Sequence, residues 1–357
     1  MHLEKHQFKE LITQIERTKD LHHLKALHHQ MFAFLKAATL SEQSIVETYN
    51  QLNNLHDALM KKAVLIAEKA MVEEPSPHML RPKAFCFYLL GSGARGEQTI
   101  WTDQDNGIIY ECTPENSRLC KNYINSLAKK VTFNLNEMGY PYCSGNVMAT
   151  NPRWSQPTDE WITKLKSYID TCNPEDIQFL YIAADLRPLY GQPQLITQLQ
   201  LTYLQLINRS DKALERLQAH NRLPKVPIGI FGQIHKERWG THSGTVNIKT
   251  SLYVPIVNSI KFLAIKHSIQ ATSTMTRIEE LCNKGIITER IYQKIKHAFH
   301  LSLYYRLLSS IGEEENTNYI GLEKLSKDEK KTLKAAMKFV KHWQSELLHW
   351  NGVLKNE

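Results

Sequence analysis

Residues 91–106 read GSGARGEQTIWTDQDN. They follow Ala84 to Leu90, a run of aromatic and apolar side chains suited to a buried strand. Gly91 and Ser92 break that run. Glycine permits a tight turn and lets a ligand approach the backbone, and the Ser92 hydroxyl beside freed backbone N–H groups could cradle a phosphate. Further along come Asp103, Gln104 and Asp105, leading into Gly107, Ile108, Ile109 and Tyr110. If this segment is extended, alternation sends Asp103 and Asp105 to one side. Two carboxylates side by side repel unless a cation lies between them. All-oxygen ligation beside a phosphate pocket suits Mg²⁺ or Mn²⁺. Taken alone, Asp-x-Asp is also ordinary turn chemistry or a solvated strand end. The order of buried strand, Gly-Ser, spacer and carboxylate pair favours a phosphate pocket followed by a metal pair.

These residues carry a resemblance. Gly-Ser followed by Asp-x-Asp resembles the polymerase-β-type nucleotidyltransferase superfamily. More narrowly, Gly91, Ser92, Arg95, Glu97, Gln98, Thr102, Asp103, Gln104, Asp105 and Asn106 match the pattern of signal-transduction nucleotidyltransferases related to the PII-protein uridylyltransferase. The chain departs from that pattern at Gly93, usually a larger residue, and at Ala94, usually glycine. The resemblance implies an α+β fold: a nucleotidyltransferase core, a small mixed sheet with helices, flanked by helical regions. It also implies transfer of a nucleoside monophosphate from a nucleoside triphosphate to a hydroxyl, with pyrophosphate leaving. Gly91 and Ser92 would hold the triphosphate, and Asp103 and Asp105 would hold Mg²⁺ or Mn²⁺. Arg95 would bind phosphate or brace Glu97. A third carboxylate joins the pair in this superfamily, and Asp185, in DLRPLYG, is the candidate. The alternative for Asp185 is an internal ion pair with Arg187 or Arg95. Lys249, in a segment resembling the domain that accompanies this core, would reach a phosphate or be a surface lysine. The acceptor is a protein tyrosine, by analogy with the uridylyltransferase, or a small molecule. A nucleotide-binding regulator without turnover is the rival, although binding alone does not require two repelling carboxylates.

The remaining composition is compatible with this. The chain has 357 residues, 42% hydrophobic and 22% charged, with a net charge of +8. That charge suits a nucleotide or acidic partner without demanding nucleic acid, and no nucleic-acid-binding motif is present. No apolar run approaches the roughly 20 residues of a membrane helix. Six scattered cysteines with no C-x-x-C pair suggest a reduced, cytoplasmic protein.

Three regions are expected: an N-terminal helical region over 1–74, the catalytic domain over 75–205, and a C-terminal helical bundle over 206–357. The first boundary is marked by Pro75, Pro77 and Pro82. Leu11 through Leu35, and Ile45 through Leu59, recur at helical intervals. His22, His23, His28 and His29 lack a ligand spacing and read as a solvated helix face. A helix is expected from Pro114 to about Met138, closed by Gly139, and another from Pro157 to Ile169. The apolar run Ile177 to Leu189 fits strand or helix equally. One long helix is expected over 192–220. YPYCSGNVMATNPRW, 140–154, resembles a family stretch without an evident role; Cys143, with no base beside it, reads as a packed loop cysteine rather than a nucleophile. Near the C-terminus, Thr276 with Glu279 and Ser326 with Glu329 have capping-box spacing. Leu333, Met337, Val340, Trp343, Leu347 and Trp350 form one apolar stripe.

Overall fold

The computed structural model describes residues 5–37, 41, 44–221, 224–229, 232–311 and 318–348. Its contacts divide into two units. The first comprises Met1–Thr39, Glu47–Tyr168 and Phe179–Tyr203. The second comprises Leu40–Val46, Ile169–Gln178 and Leu204–Glu357. The N-terminal helices thus group with the sheet.

At the centre of the first unit is β1 (Ala84–Leu89), in the four-stranded order β3-β2-β1-β4. β2 (Asn106–Glu111) and β4 (Arg187–Gly191) flank β1 and run antiparallel to it. β3 (Ser155–Pro157) runs parallel to β2. Phe85 to Leu89 are all at most 1% exposed. Both faces of β1 are therefore covered, which is why it reads as an unbroken apolar run. The β1–β2 register ends at Leu89 opposite Asn106, and the Leu90 amide donates to the Asp105 carbonyl at 3.0 Å. One further step of pairing thus brings Asp105 alongside Leu90 and Gly91.

Around the sheet lie α1 (Lys5–Arg17), α2 (Leu21–Ala37), most of α3 (Ile45–Glu73), the short α4 (Gly91–Arg95) and α5 (Ser117–Glu137). Gly139, with φ +97°, closes the α5 end as expected. The segment expected between Pro157 and Ile169 is α6 (Thr158–Thr171). The ambiguous run Ile177–Leu189 is part helix and part strand: α7 (Pro174–Ala183) ends, a turn holds Asp185, and β4 begins.

The single helix expected over 192–220 is two, α8 (Pro193–Ile207) and α9 (Asp211–His220). Ser210 is an N-cap whose hydroxyl accepts from the Ala213 amide at 3.2 Å, so a local side chain competes successfully with helix continuation.

In the second unit, α10 (Val254–Lys266), α11 (Thr274–Asn283), α12 (Glu289–Ile311) and α13 (Lys327–Leu348) form the bundle. A two-stranded antiparallel ladder, β5 (Thr245–Asn247) with β6 (Tyr319–Gly321), adds to it. Leu333, Met337, Val340, Trp343 and Leu347 are buried along α13; Trp350 lies outside the described residues. The Ser326–Glu329 box forms reciprocally: the Ser326 amide donates to Glu329 Oε2 at 2.7 Å, and the Glu329 amide to Ser326 Oγ at 3.2 Å. At α11 the cap is Ser273, three residues before the expected Thr276. Among the described residues, no helix is long and apolar enough to cross a membrane.

Candidate functional site

The Gly-Ser sequence does not make a loose loop. Gly91 takes φ +53° and opens the five-residue helix α4, closed by Gly96 at φ +70°. Gly91 is required for a second reason. A Cβ built on it would stand 3.3 Å from the Asp105 carboxyl carbon, and nearer to Oδ2 than real Cβ atoms come. The missing side chain is the space the Asp105 carboxylate occupies, directly beside the start of α4. Gly93 and Ala94, where the chain departs from the family pattern, both fit inside α4: Ala94 is buried, and a Cβ on Gly93 would meet only ordinary contacts.

Asp103 and Asp105 lie in the extended segment before β2. Each offers a carboxylate oxygen, and Cys143 offers Sγ, such that the three donor atoms lie within 4.8 Å of one another. Asp103 is exposed; Asp105 and Cys143 are half-buried. Burial, and then the Asp105 carboxylate beside it, push the Cys143 thiol up to about 11. Two hard oxygens and one sulfur converging at an accessible rim fit a divalent cation. Sequence spacing does not tie Cys143, read there as a packed loop cysteine, to the Asp pair, because it comes from the loop beyond α5.

That loop is stitched along the Asp motif. Gln104 N donates to Pro141 O at 3.1 Å, and Asn106 N to Val147 O at 3.1 Å. The Asn106 side chain accepts from Ala149 N at 2.9 Å, and Gln104 Nε2 donates to Thr132 O and Tyr140 O at 3.0 and 2.9 Å. Asp105 is thus flanked by backbone bonds to both ends of the loop that carries Cys143. The rest of the 140–154 stretch is structural. Trp154 O accepts from Tyr88 OH at 2.6 Å and Ile108 N at 3.0 Å, and its ring stacks on Phe179 with centroids 4.6 Å apart.

Arg95 turns inward. Its Nε donates to Glu97 Oε2 at 2.8 Å and its Nη1 to Asp185 Oδ2 at 2.5 Å, with Arg95, Glu97 and Asp185 all buried. Arg95 therefore braces Glu97, and Asp185 occupies the ion pair that was the alternative to a third metal carboxylate. The only grouping of metal-capable side chains among the described residues is Asp103, Asp105 and Cys143, without Asp185. Arg187 grips Asp57 of α3 through both Nη atoms, at 2.7 and 2.8 Å, and donates to Gly93 O at 2.7 Å. Strand β4, helix α3 and helix α4 are locked together by this one guanidinium. Such paired, multidentate contacts hold geometry as well as charge.

The spacer between Gly96 and Asp103 has few sheet bonds to satisfy its backbone, and side chains of the N-terminal helices do so instead. Asn53 Nδ2 donates to Gly96 O at 2.6 Å, and its Oδ1 accepts from Gln98 N at 3.4 Å. His56 Nε2 meets Thr99 O at 3.1 Å, and its Nδ1 meets Tyr140 OH at 2.8 Å. His28 bridges Ile100 O at 3.2 Å and Met138 O at 3.0 Å, stacked on Tyr140. His28 is therefore not on the solvated face expected of it: it is fully buried, while His22, His23 and His29 are exposed. Burial lowers His28 to about 4 and His56 to about 3. Both stay neutral at physiological pH, so His28 donates to only one of the two carbonyls it faces, and these carbonyls oppose its shift.

Lys249 belongs to the second unit, exposed at the start of a π-helical turn, Lys249–Tyr253. Within that unit Arg306 lies over the Tyr253 ring, 3.9 Å from its centroid, and donates to Asn318 Oδ1 at 3.2 Å. The turn is thereby fixed from beneath.

Two family models match separate stretches of the chain. Residues 29–175 match the family described as putative nucleotidyltransferase DUF294. Residues 211–349 match the family described as putative nucleotidyltransferase substrate binding domain. No curated protein matches the chain.

Proposed function

From a chain that carries the two matched domains of a nucleotidyltransferase family, we propose an enzyme that moves a nucleoside monophosphate from a nucleoside triphosphate to a hydroxyl, with pyrophosphate leaving. The observation that carries the reading is the convergence of Asp103 and Asp105 beside Gly91, whose absent side chain makes room for the Asp105 carboxylate. Mg²⁺ or Mn²⁺, which Asp103 and Asp105 would hold, would supply neutralisation of the charge that develops on the phosphate oxygens. Gly91 and Ser92, at the start of α4, receive the triphosphate. Arg187 keeps α4 in place through Gly93, and the Arg95–Glu97–Asp185 cluster stiffens the segment leading from it to the Asp pair. Asp185 acts in this reading as a positioning residue rather than a ligand. Lys249, exposed on its turn in the substrate-binding domain, is the basic residue offered to a substrate phosphate. The resemblance to the PII-protein uridylyltransferase makes uridylyl transfer to a protein tyrosine the first version to test, and a small-molecule hydroxyl the second.

Calorimetry of nucleoside triphosphate binding with and without Mg²⁺ tests the site. Binding should be strengthened by Mg²⁺ in the native chain, and Asp103→Asn with Asp105→Asn should remove that gain while the protein stays folded. Undiminished Mg²⁺-dependent binding in the double variant would sink the assignment.

A further inference from the structure

We propose that Cys143 is the third protein ligand of the cation at the Asp103–Asp105 pair, and that its sulfur makes the site prefer Co²⁺ or Zn²⁺ over Mg²⁺. The inference rests on the reading of Asp103 and Asp105 as metal ligands and adds a donor that their motif does not contain. Its basis is placement. The Cys143 Sγ and one oxygen from each aspartate lie within 4.8 Å of one another, a separation that a single ion can bridge. The loop is held to that position on both sides of the cysteine, through Pro141 O and Val147 O to the amides of Gln104 and Asn106. Asn146 at φ +55°, with its amide bonded to Cys143 O at 3.0 Å, turns the chain immediately after the cysteine.

The chemistry follows from donor softness. Mg²⁺ takes hard oxygen ligands in a near-ideal octahedron and gains nothing from sulfur. Thiolate ligands favour softer ions such as Zn²⁺, and affinity for a given site rises from Mn²⁺ through Co²⁺ to Cu²⁺ before falling at Zn²⁺. A coordinating thiol gives up its proton to solvent as the metal–sulfur bond forms, so the exchange balances without an oxidant. The site then holds two carboxylates and one thiolate, leaving the remaining positions for phosphate oxygens and water.

Co²⁺ and Cd²⁺ report sulfur ligation by a sulfur-to-metal charge-transfer band that oxygen ligands do not give. Each ion is titrated into the full chain with a nucleoside triphosphate, and into Cys143→Ser and Asp103→Asn/Asp105→Asn. The expected result is a band in the native chain that is absent from both variants. Co²⁺-supported nucleotide affinity should fall by at least about tenfold in Cys143→Ser, with Mg²⁺-supported affinity nearly unchanged. Metal-dependent binding that requires the aspartates but gives no band, and is indifferent to Cys143→Ser, would overturn the proposal and leave the proposed function standing. A band surviving in the aspartate double variant would assign the sulfur to a separate site and overturn it as well. Loss of all metal-dependent nucleotide binding in the native chain would overturn both readings together.

Discussion

Replacing Gly91 by alanine puts one methyl group where the Asp105 carboxylate lies. The cost has two parts. The backbone at φ +53° is left-handed, which an L-residue with a Cβ adopts at roughly 1–2 kcal/mol. The methyl also approaches Asp105 Oδ2 more closely than real Cβ contacts allow, with the carboxyl carbon at 3.3 Å. The obstacle is a side chain rather than backbone, so the carboxylate swings aside, by about 1 Å, and the fold survives; a displacement of that size is enough to cost about 100-fold at a reacting centre. Gly91→Ala should therefore lose stability modestly and lose Mg²⁺-dependent nucleotide affinity and turnover by about two orders of magnitude. Gly285→Ala provides the control. Gly285 also has a left-handed φ, +69°, but a Cβ there meets nothing within 4 Å. It should show the backbone cost without the loss of metal-dependent binding. Thermal melts and calorimetry on the two variants separate the terms. Native metal-dependent affinity in a folded Gly91→Ala chain would refute the reasoning that Gly91 exists to admit Asp105.

Asp185→Asn removes one of the two carboxylates that pair with the buried Arg95 guanidinium, leaving Glu97, and should cost roughly 1–3 kcal/mol of stability while activity per folded molecule is kept; a collapse of turnover at unchanged stability would instead make Asp185 catalytic. Neutral His28 and His56 set an acid limit. Below the unfolded value of 6.5 the unfolded chain takes up protons that the folded one refuses until about 4 and about 3. Stability should fall with pH across that window, by up to about 1.4 kcal/mol per pH unit per histidine, and His56→Gln should show a shallower slope in denaturant melts at stepped pH. Asn53→Ala removes the clamp on Gly96 and Gln98. It should weaken metal-dependent nucleotide binding by a few-fold, although Asn53 belongs to α3 and not to the motif; unchanged binding would show that the spacer holds itself.

The parts of the molecule that were legible in its sequence are those determined by near neighbours. The apolar run into Gly91, the Asp pair, the α5 stop at Gly139 and the Ser326–Glu329 box each need only a few adjacent residues. What was not legible depends on distant packing. His28 looked solvated beside His22, His23 and His29, and only the approach of Ile100 and Met138 carbonyls buries it. Arg95 could not be assigned between phosphate and Glu97 until folding buried it between Glu97 and Asp185. Cys143 meets Asp105 because α5 returns the chain over the motif, a consequence of topology that no spacing records. The break between α8 and α9 was hidden for another reason: apolar periodicity runs through Ser210, and a single hydroxyl cap decides the outcome.

The central claim is transfer, and following the α-phosphate tests it most directly. Each of the four common nucleoside triphosphates, labelled at the α-phosphate, is incubated with the protein, a divalent cation and lysate from the source cell. The account predicts that label from at least one nucleotide moves into a macromolecule or metabolite as pyrophosphate appears, and that Asp103→Asn with Asp105→Asn abolishes the movement. It is contradicted if no label moves from any of the four while tight nucleotide binding persists and survives removal of the cation, the behaviour of a binding module without turnover.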